Sequence, residues 1–277
     1  MIQRRFKQVD VFTAIPYQGN PVAVVLDGDG LTTEQMQAIA RWTNLSETTF
    51  VCEPTTPEAD YRLRIFCPGS ELPFAGHPTI GTAHALLASG YVPRQPGVLV
   101  QECGVGLVRM RTGGDDISIA LPRAHMRSVD ASARSMVEQA IGAPLLETPV
   151  AVDLGIVWLT GQVASGELLR SLKPSMEGIA AAALQVGTNG ITLFGLDGDT
   201  PEVRSFAPHE GTPEDPVCGS GNGAVAFYLR ERRGPRDYRA RQGRCIGRDG
   251  HIRITHADDT IWLGGQAVSC IEGSIIA

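Results

Sequence analysis

Long apolar runs are missing from these 277 residues. No stretch of about 18 uncharged apolar residues occurs, and the start, Met1-Ile2-Gln3-Arg4-Arg5-Phe6, carries charge without an apolar run behind it. Neither membrane insertion nor secretion is therefore expected, and a cytoplasmic protein is. Basic excess is missing too: 24 Lys and Arg face 30 Asp and Glu, a net charge of -6, which leaves no electrostatic footprint for nucleic acid. The arginine-rich run from Arg230 to Arg244 is interrupted by Glu231 and Asp237 and reads as a solvated face. The six cysteines (Cys52, Cys67, Cys103, Cys218, Cys245, Cys270) include no C-x-x-C pair, which argues against a zinc site or a disulfide scaffold and for free thiols. Low-complexity segments are absent as well, so nearly the whole chain is expected to fold.

What is present is a globular composition, 43% apolar and 19% charged, long enough for one large domain or two of about 140 residues. The first half opens with a strand over Gln8 to Phe12, a turn through Gly19-Asn20-Pro21 and a second strand over Val22 to Leu26. Thr32 and Gln35 have capping-box spacing, and Met36, Ile39 and Ala40 recur at helical intervals, which predicts a helix to about Trp42. Thr48 to Cys52 and Tyr61 to Phe66 are β-rich, and Pro78 suits the first turn of a buried helix reaching Leu87 and closed by Gly90. Strands follow over Val98 to Gln101, Gly106 to Arg111 and Ile117 to Leu121.

The stretch from Pro122 to Asp130 reads as the domain boundary. Beyond it, helices are expected over Ala131 to Ile141, Ser175 to Leu184 and Asn222 to Glu231. Strands are expected over Val150 to Asp153, Val157 to Thr160, Thr192 to Phe194 and Val203 to Phe206, with several more after Arg239. Few helices among many short strands indicate an α+β fold, largely antiparallel. The sequence also resembles itself. Arg64-Ile65-Phe66-Cys67-Pro68 precedes Gly76-His77 and an apolar helix, and Arg204-Ser205-Phe206-Ala207-Pro208 precedes Gly219-Ser220 and another. A weaker echo pairs Val9-Asp10 and Gly19 with Val152-Asp153 and Gly161. Duplication gives residues 1–126, with 268–277 as a possible completing strand, and residues 127–267, the two helix starts facing one cleft.

Helix starts present unpaired N–H groups and a partial positive charge, so Ala75-Gly76-His77 and Gly219-Ser220-Gly221-Asn222-Gly223 are natural carboxylate cradles. Close packing of a central helix would call for the same small residues, but the device occurs in both halves. A dinucleotide fingerprint fits poorly, because Glu214-Asp215-Pro216 stands where a strand should lead in and the third glycine comes too early. Glu47, between a helix end and an apolar strand, is placed to project from a rigid frame, although a surface glutamate would be read the same way.

Gly19-Asn20-Pro21, Leu45-Ser46-Glu47-Thr48-Thr49-Phe50, Pro73-Phe74-Ala75-Gly76-His77-Pro78-Thr79 and Glu214-Asp215-Pro216-Val217-Cys218-Gly219-Ser220 together resemble the motifs of the PhzF-like family of phenazine biosynthesis. The similarity continues through Arg204 to Pro208 and Gln242-Gly243 to Gly264-Gly265, nearly the whole chain in order. The resemblance implies the diaminopimelate epimerase fold, two pseudo-symmetric domains each wrapping mostly antiparallel strands around a central helix. It also implies a homodimer and an isomerase without metal or organic cofactor that moves a proton on a small, unsaturated cyclic carboxylate.

In that scheme Glu47 is the proton shuttle, and His77 and Asp215 steer or accept protons. Asn20, Ser46, Gly76, Gly219 and Ser220 hold the substrate. A glutamate with an ordinary pKa of about 4.3 is a weak base, but burial can raise it by a couple of units. One departure stands out. Cys218 occupies the place of a threonine or other small residue in the family, where the epimerases and racemases of the same fold have a catalytic cysteine. Ala75 is its counterpart in the first half, so the opposed second thiol is missing and Cys218 reads as an accessory packing residue. An amino-acid racemase using Cys218 and a non-catalytic carboxylate-binding protein are the rival readings.

Overall fold

A computed structural model describes residues 2–277. The chain forms two compact units, Met1–Ala120 with Gly264–Ala277, and Leu121–Leu263. No described helix is long and apolar enough to cross a membrane.

The first unit runs β1 (Gln3–Val11), β2 (Asn20–Val25), α1 (Thr33–Thr43), β3 (Thr48–Cys52), β4 (Tyr61–Phe66), β5 (Glu71–Leu72), α2 (Gly76–Ala88), β6 (Val98–Cys103), β7 (Gly106–Arg111) and β8 (Ile117–Ala120). Both halves of the predicted capping box form: the Thr32 side chain accepts from the Gln35 N–H, and the Gln35 side chain accepts from the Thr32 N–H. Asn44 ends α1 in the left-handed region at φ 54°. This turns the chain at once into β3, parallel to β2. Under α1, Met36, Ala40, Phe50 and Phe66 pack together, with the two phenyl rings edge to face at 5.6 Å. Helix α2 is apolar on nearly all sides and buried from His77 through Ala83, as a helix enclosed by strands must be. Its contact with the sheet needs Gly81, where a Cβ would stand 2.4 Å from Val22 Cγ1. The hydroxyls of Thr79 and Thr82, buried on the same helix, bond to Gln101 at 3.1 Å and Thr49 at 2.8 Å.

The second unit runs β9 (His125–Ser128), α3 (Ala131–Ile141), β10 (Val150–Asp153), β11 (Val157–Gln162), α4 (Gly166–Ser171), α5 (Met176–Val186), β12 (Gly190–Asp197), β13 (Thr200–Ala207), β14 (Thr212–Asp215), α6 (Gly219–Arg233), β15 (Tyr238–Gln242), β16 (Gly250–Ala257) and β17 (Thr260–Gly265). The last strand, β18 (Ala267–Ile276), returns to the first unit and pairs antiparallel with β1.

The two units repeat one topology. In the first, β2 is antiparallel to β1 and parallel to β3, and β4 is antiparallel to β3 and β5 but parallel to β6. In the second, β11 is antiparallel to β10 and parallel to β12, and β13 is antiparallel to β12 and β14 but parallel to β15. The helices α2 and α6 occupy equivalent places, after β5 and β14. The physical content of the repeated Arg-x-Phe segment is visible in each copy. Arg64 forks onto Glu71 (both contacts 2.7 Å) and lies 5.2 Å over Phe66; Arg204 forks onto Glu214 (2.9 and 2.8 Å) and lies 5.0 Å over Phe206. Each fork ties the strand to the short hairpin arm that delivers the chain to its central helix.

Several expected boundaries need correction. Helix α6 begins at Gly219 rather than Asn222, because Cys218 caps it; the glycines that suggested a turn are its first residues. The Pro122 to Asp130 stretch contains strand β9, paired with β10. The stretch before α6 contains β14, and the six-residue helix α4 was not foreseen. β1 starts at Gln3, five residues before the expected Gln8, because its outer half is completed by β18.

Candidate active site

Glu47 and His77 come together in the first unit. Glu47 precedes β3, and its backbone carbonyl accepts from the Ala23 N–H at 3.3 Å, which fixes it against β2. His77 is the second residue of α2. Their side chains approach to 3.2 Å, Glu47 Oε2 to His77 Nε2, at only 16% and 8% exposure.

Burial pulls His77 down to a pKa of about 3, against a lesser opposing pull from its hydrogen bond to Pro21. Proline has no N–H, so the Pro21 carbonyl must accept and the ring must donate. Nε2 makes no hydrogen bond, so the donor is Nδ1. The neutral ring therefore turns the lone pair of Nε2 toward the Glu47 carboxyl.

The Gly19-Asn20-Pro21 motif builds this arrangement. A Cβ at Gly19 would lie 2.1 Å from the Val11 carbonyl oxygen, so only glycine permits the close turn, and its N–H donates to Asp10 at 2.9 Å. Asn20 is wholly buried at the start of β2, and Pro21 supplies the carbonyl that holds His77. Gly76 is the first residue of α2, whose N-cap Ala75 offers no side-chain bond, so the leading amides have no capping oxygen. Ser46 is exposed beside Glu47.

Asp215, Cys218, Gly219 and Ser220 come together in the second unit. Burial raises Asp215 to about 6, against the hydrogen bonds it receives from the Cys218 thiol and from the Val217 N–H at 3.0 Å. Cys218 Sγ accepts from the Gly221 N–H at 3.2 Å, acting as the helix cap. Burial, and then the neighbouring Asp215 carboxyl, push its thiol far above the ordinary range, the reverse of what activates a nucleophile. Gly221 is required here, since a Cβ would stand 2.3 Å from Ser205 Oγ.

Of two further residues of this set, Trp158 carried no functional signal in the sequence, and Asn222 entered only as part of the glycine-rich cradle. Trp158, on β11, donates its indole N–H to Ser220 Oγ at 3.0 Å, and the Cys218 thiol lies 3.5 Å from the same oxygen. Asn222 donates to the Cys218 carbonyl at 2.9 Å and to Gln242 at 2.7 Å. A tryptophan in a strand and an asparagine after glycines look like core and turn. Among the described residues, no group of three or more His, Cys, Asp or Glu side chains is placed to hold a metal ion.

The family model described as phenazine biosynthesis-like protein, PhzC-PhzF, matches residues 9–273. The chain belongs to the PhzF-like isomerase family. Among its relatives, a Schizosaccharomyces pombe protein named antisense-enhancing sequence 1 is 40% identical over 99% of each chain. The trans-2,3-dihydro-3-hydroxyanthranilate isomerase of Pseudomonas aeruginosa is 33% identical, over 98% of this chain and 95% of that one. A Bacillus anthracis phenazine biosynthesis protein of the PhzF family superposes over 100% of both chains with a TM-score of 0.86 at 27% identity. The fold expected from the resemblance, strand-rich halves around central helices, is the fold of these PhzF-like relatives.

Proposed function

We propose that this PhzF-like isomerase transfers a proton within a small carboxylate, shifting a double bond or an allylic hydrogen, with Glu47 as the acid/base and no cofactor. The observation that carries the reading is the 3.2 Å approach of Glu47 to the neutral, lone-pair nitrogen of His77. A carboxyl in that position takes a proton from one substrate carbon and returns it to another, so a single group serves both halves of a shift while the neutral His77 ring orients it. Asp215 is the second titrating group, poised near neutral pH at about 6. Within the first unit the amides at the start of α2 (Gly76) and the buried Asn20, and within the second the amides at the start of α6 (Gly219) and the Ser220 hydroxyl, each suit recognition of an anionic or polar group. The name of the P. aeruginosa relative points to an unsaturated ring bearing amino, hydroxyl and carboxylate groups as the substrate class.

The Cys218 racemase reading loses support on two grounds. The thiol is committed to capping Gly221, and its environment favours the protonated form. The test is incubation in D2O with trans-2,3-dihydro-3-hydroxyanthranilate and a panel of related unsaturated carboxylates, followed by NMR. Deuterium entering at an allylic carbon with a displaced double bond supports the reading. Inversion at a stereocentre without such displacement refutes it in favour of an epimerase, and absence of exchange across the panel refutes it in favour of a binding protein.

A further inference from the structure

The segment Asp215 to Asn222 carries three of the groups used above and contains glycines at 219 and 221. Besides the pairing of β14 with β13, the Arg204–Glu214 fork and the Trp158–Ser220 bond, one side chain grips it at three points. Gln242, the last residue of β15 and 1% exposed, donates from Nε2 to the Asp215 carbonyl at 2.9 Å. Its Oε1 accepts from the Cys218 N–H at 3.1 Å and from Asn222 Nδ2 at 2.7 Å. Thus one primary amide satisfies the loop before α6, the capping residue and the first turn at once.

The next residue supports the same grip. Gly243 has φ 100°, and a Cβ there would lie 2.7 Å from the Pro216 carbonyl oxygen and 2.6 Å from Arg248 Cβ, so this backbone is pressed directly against the segment. Gly250 at the start of β16 is pressed the same way, with Val217 Cγ2 2.3 Å from the position of a Cβ.

We infer that Gln242 is a positioning residue: it fixes the backbone on either side of Pro216 and so sets where Asp215 and Ser220 are presented and how dry the Asp215 carboxyl is kept. The inference rests on the proposed reading only in treating those two residues as parts of the site. Its physical content is the preorganisation of a glycine-containing stretch, which lowers the cost of orienting groups during reaction. Besides the Cys218 thiol and the Val217 N–H, the charged neighbour acting on Asp215 is Glu214, which raises it further. Gln242 itself is neutral, so its removal acts on Asp215 through position and hydration rather than through charge.

The test needs no substrate, so its failure is separable from failure of the isomerase reading. The side-chain carboxyl of Asp215 is titrated by carbon-13 NMR in wild type, Gln242→Leu and Gln242→Asn, with Val225→Ala, a buried α6 core change, as a control for lost stability. The asparagine variant keeps an amide but is one methylene too short to span the three partners, and it serves if the leucine variant does not fold. We expect the Asp215 midpoint to fall by at least about 1 pH unit in the Gln242 variants, as water reaches the released carboxyl, while Val225→Ala lowers Tm without moving it. Faster exchange of the Cys218 amide hydrogen accompanies the shift. An Asp215 midpoint unchanged in the Gln242 variants, or shifted equally in Val225→Ala, overturns the inference and leaves Gln242 an ordinary core residue.

Discussion

The Asp215 carboxyl makes a quantitative demand on stability. Burial lifts it from 3.8 to about 6, so the folded chain binds its proton more tightly than the unfolded chain does. Between pH 3.8 and 6 the folded state holds the extra proton; as pH rises through that window stability is lost, and above it the full penalty is present. At about 1.4 kcal/mol per pH unit the displacement amounts to about 3 kcal/mol, which partial exposure of the side chain reduces to about 2.

Replacing Asp215 by Asn removes the titration but keeps the oxygen that accepts from the Val217 N–H. Asp215→Asn is therefore more stable than wild type by about 2 kcal/mol at pH 8 and nearly equal to it at pH 4. Urea unfolding of both proteins at the two pH values reads the difference directly. A gap that does not change with pH, or a variant less stable than wild type at pH 8, would refute the burial argument.

Cys218→Ser is expected to stay within about tenfold of wild-type activity, because a capping thiol is replaced by a good capping hydroxyl while a catalytic thiol would not be; a steady-state assay showing collapse with intact folding would restore the racemase reading. Gly81→Ala should lower stability by about 1–3 kcal/mol in chemical denaturation, since its methyl would stand 2.4 Å from Val22 Cγ1.

Local chemistry made much of this fold legible. The Thr32–Gln35 box, the buried runs of β3 and β4 and the Arg-x-Phe repeat each carry their signal within a few residues, and each forms as read. What escaped depends on partners distant in sequence. The outer half of β1 is a strand because β18, more than 250 residues later, pairs with it. The parallel pairings β2 with β3 and β11 with β12 leave no mark in either strand alone. β9 hid in a Pro- and Arg-containing stretch that resembles a linker, and α4 is too short for helical periodicity.

At the site, the resemblance selected Glu47 and His77 from distant segments, but composition offered no reason to place their side chains 3.2 Å apart. Gln242 belonged to the motif set without a role, because its three hydrogen bonds exist only once β15 lies beside the start of α6.

The most direct measurement is deuterium exchange into the substrate panel by wild type and Glu47→Gln side by side, with ligand affinity measured in parallel. The glutamine keeps the side-chain shape but cannot shuttle a proton, so exchange should fall at least about 100-fold while Kd changes little. Exchange at the wild-type rate by Glu47→Gln would contradict the assignment of Glu47 as the acid/base.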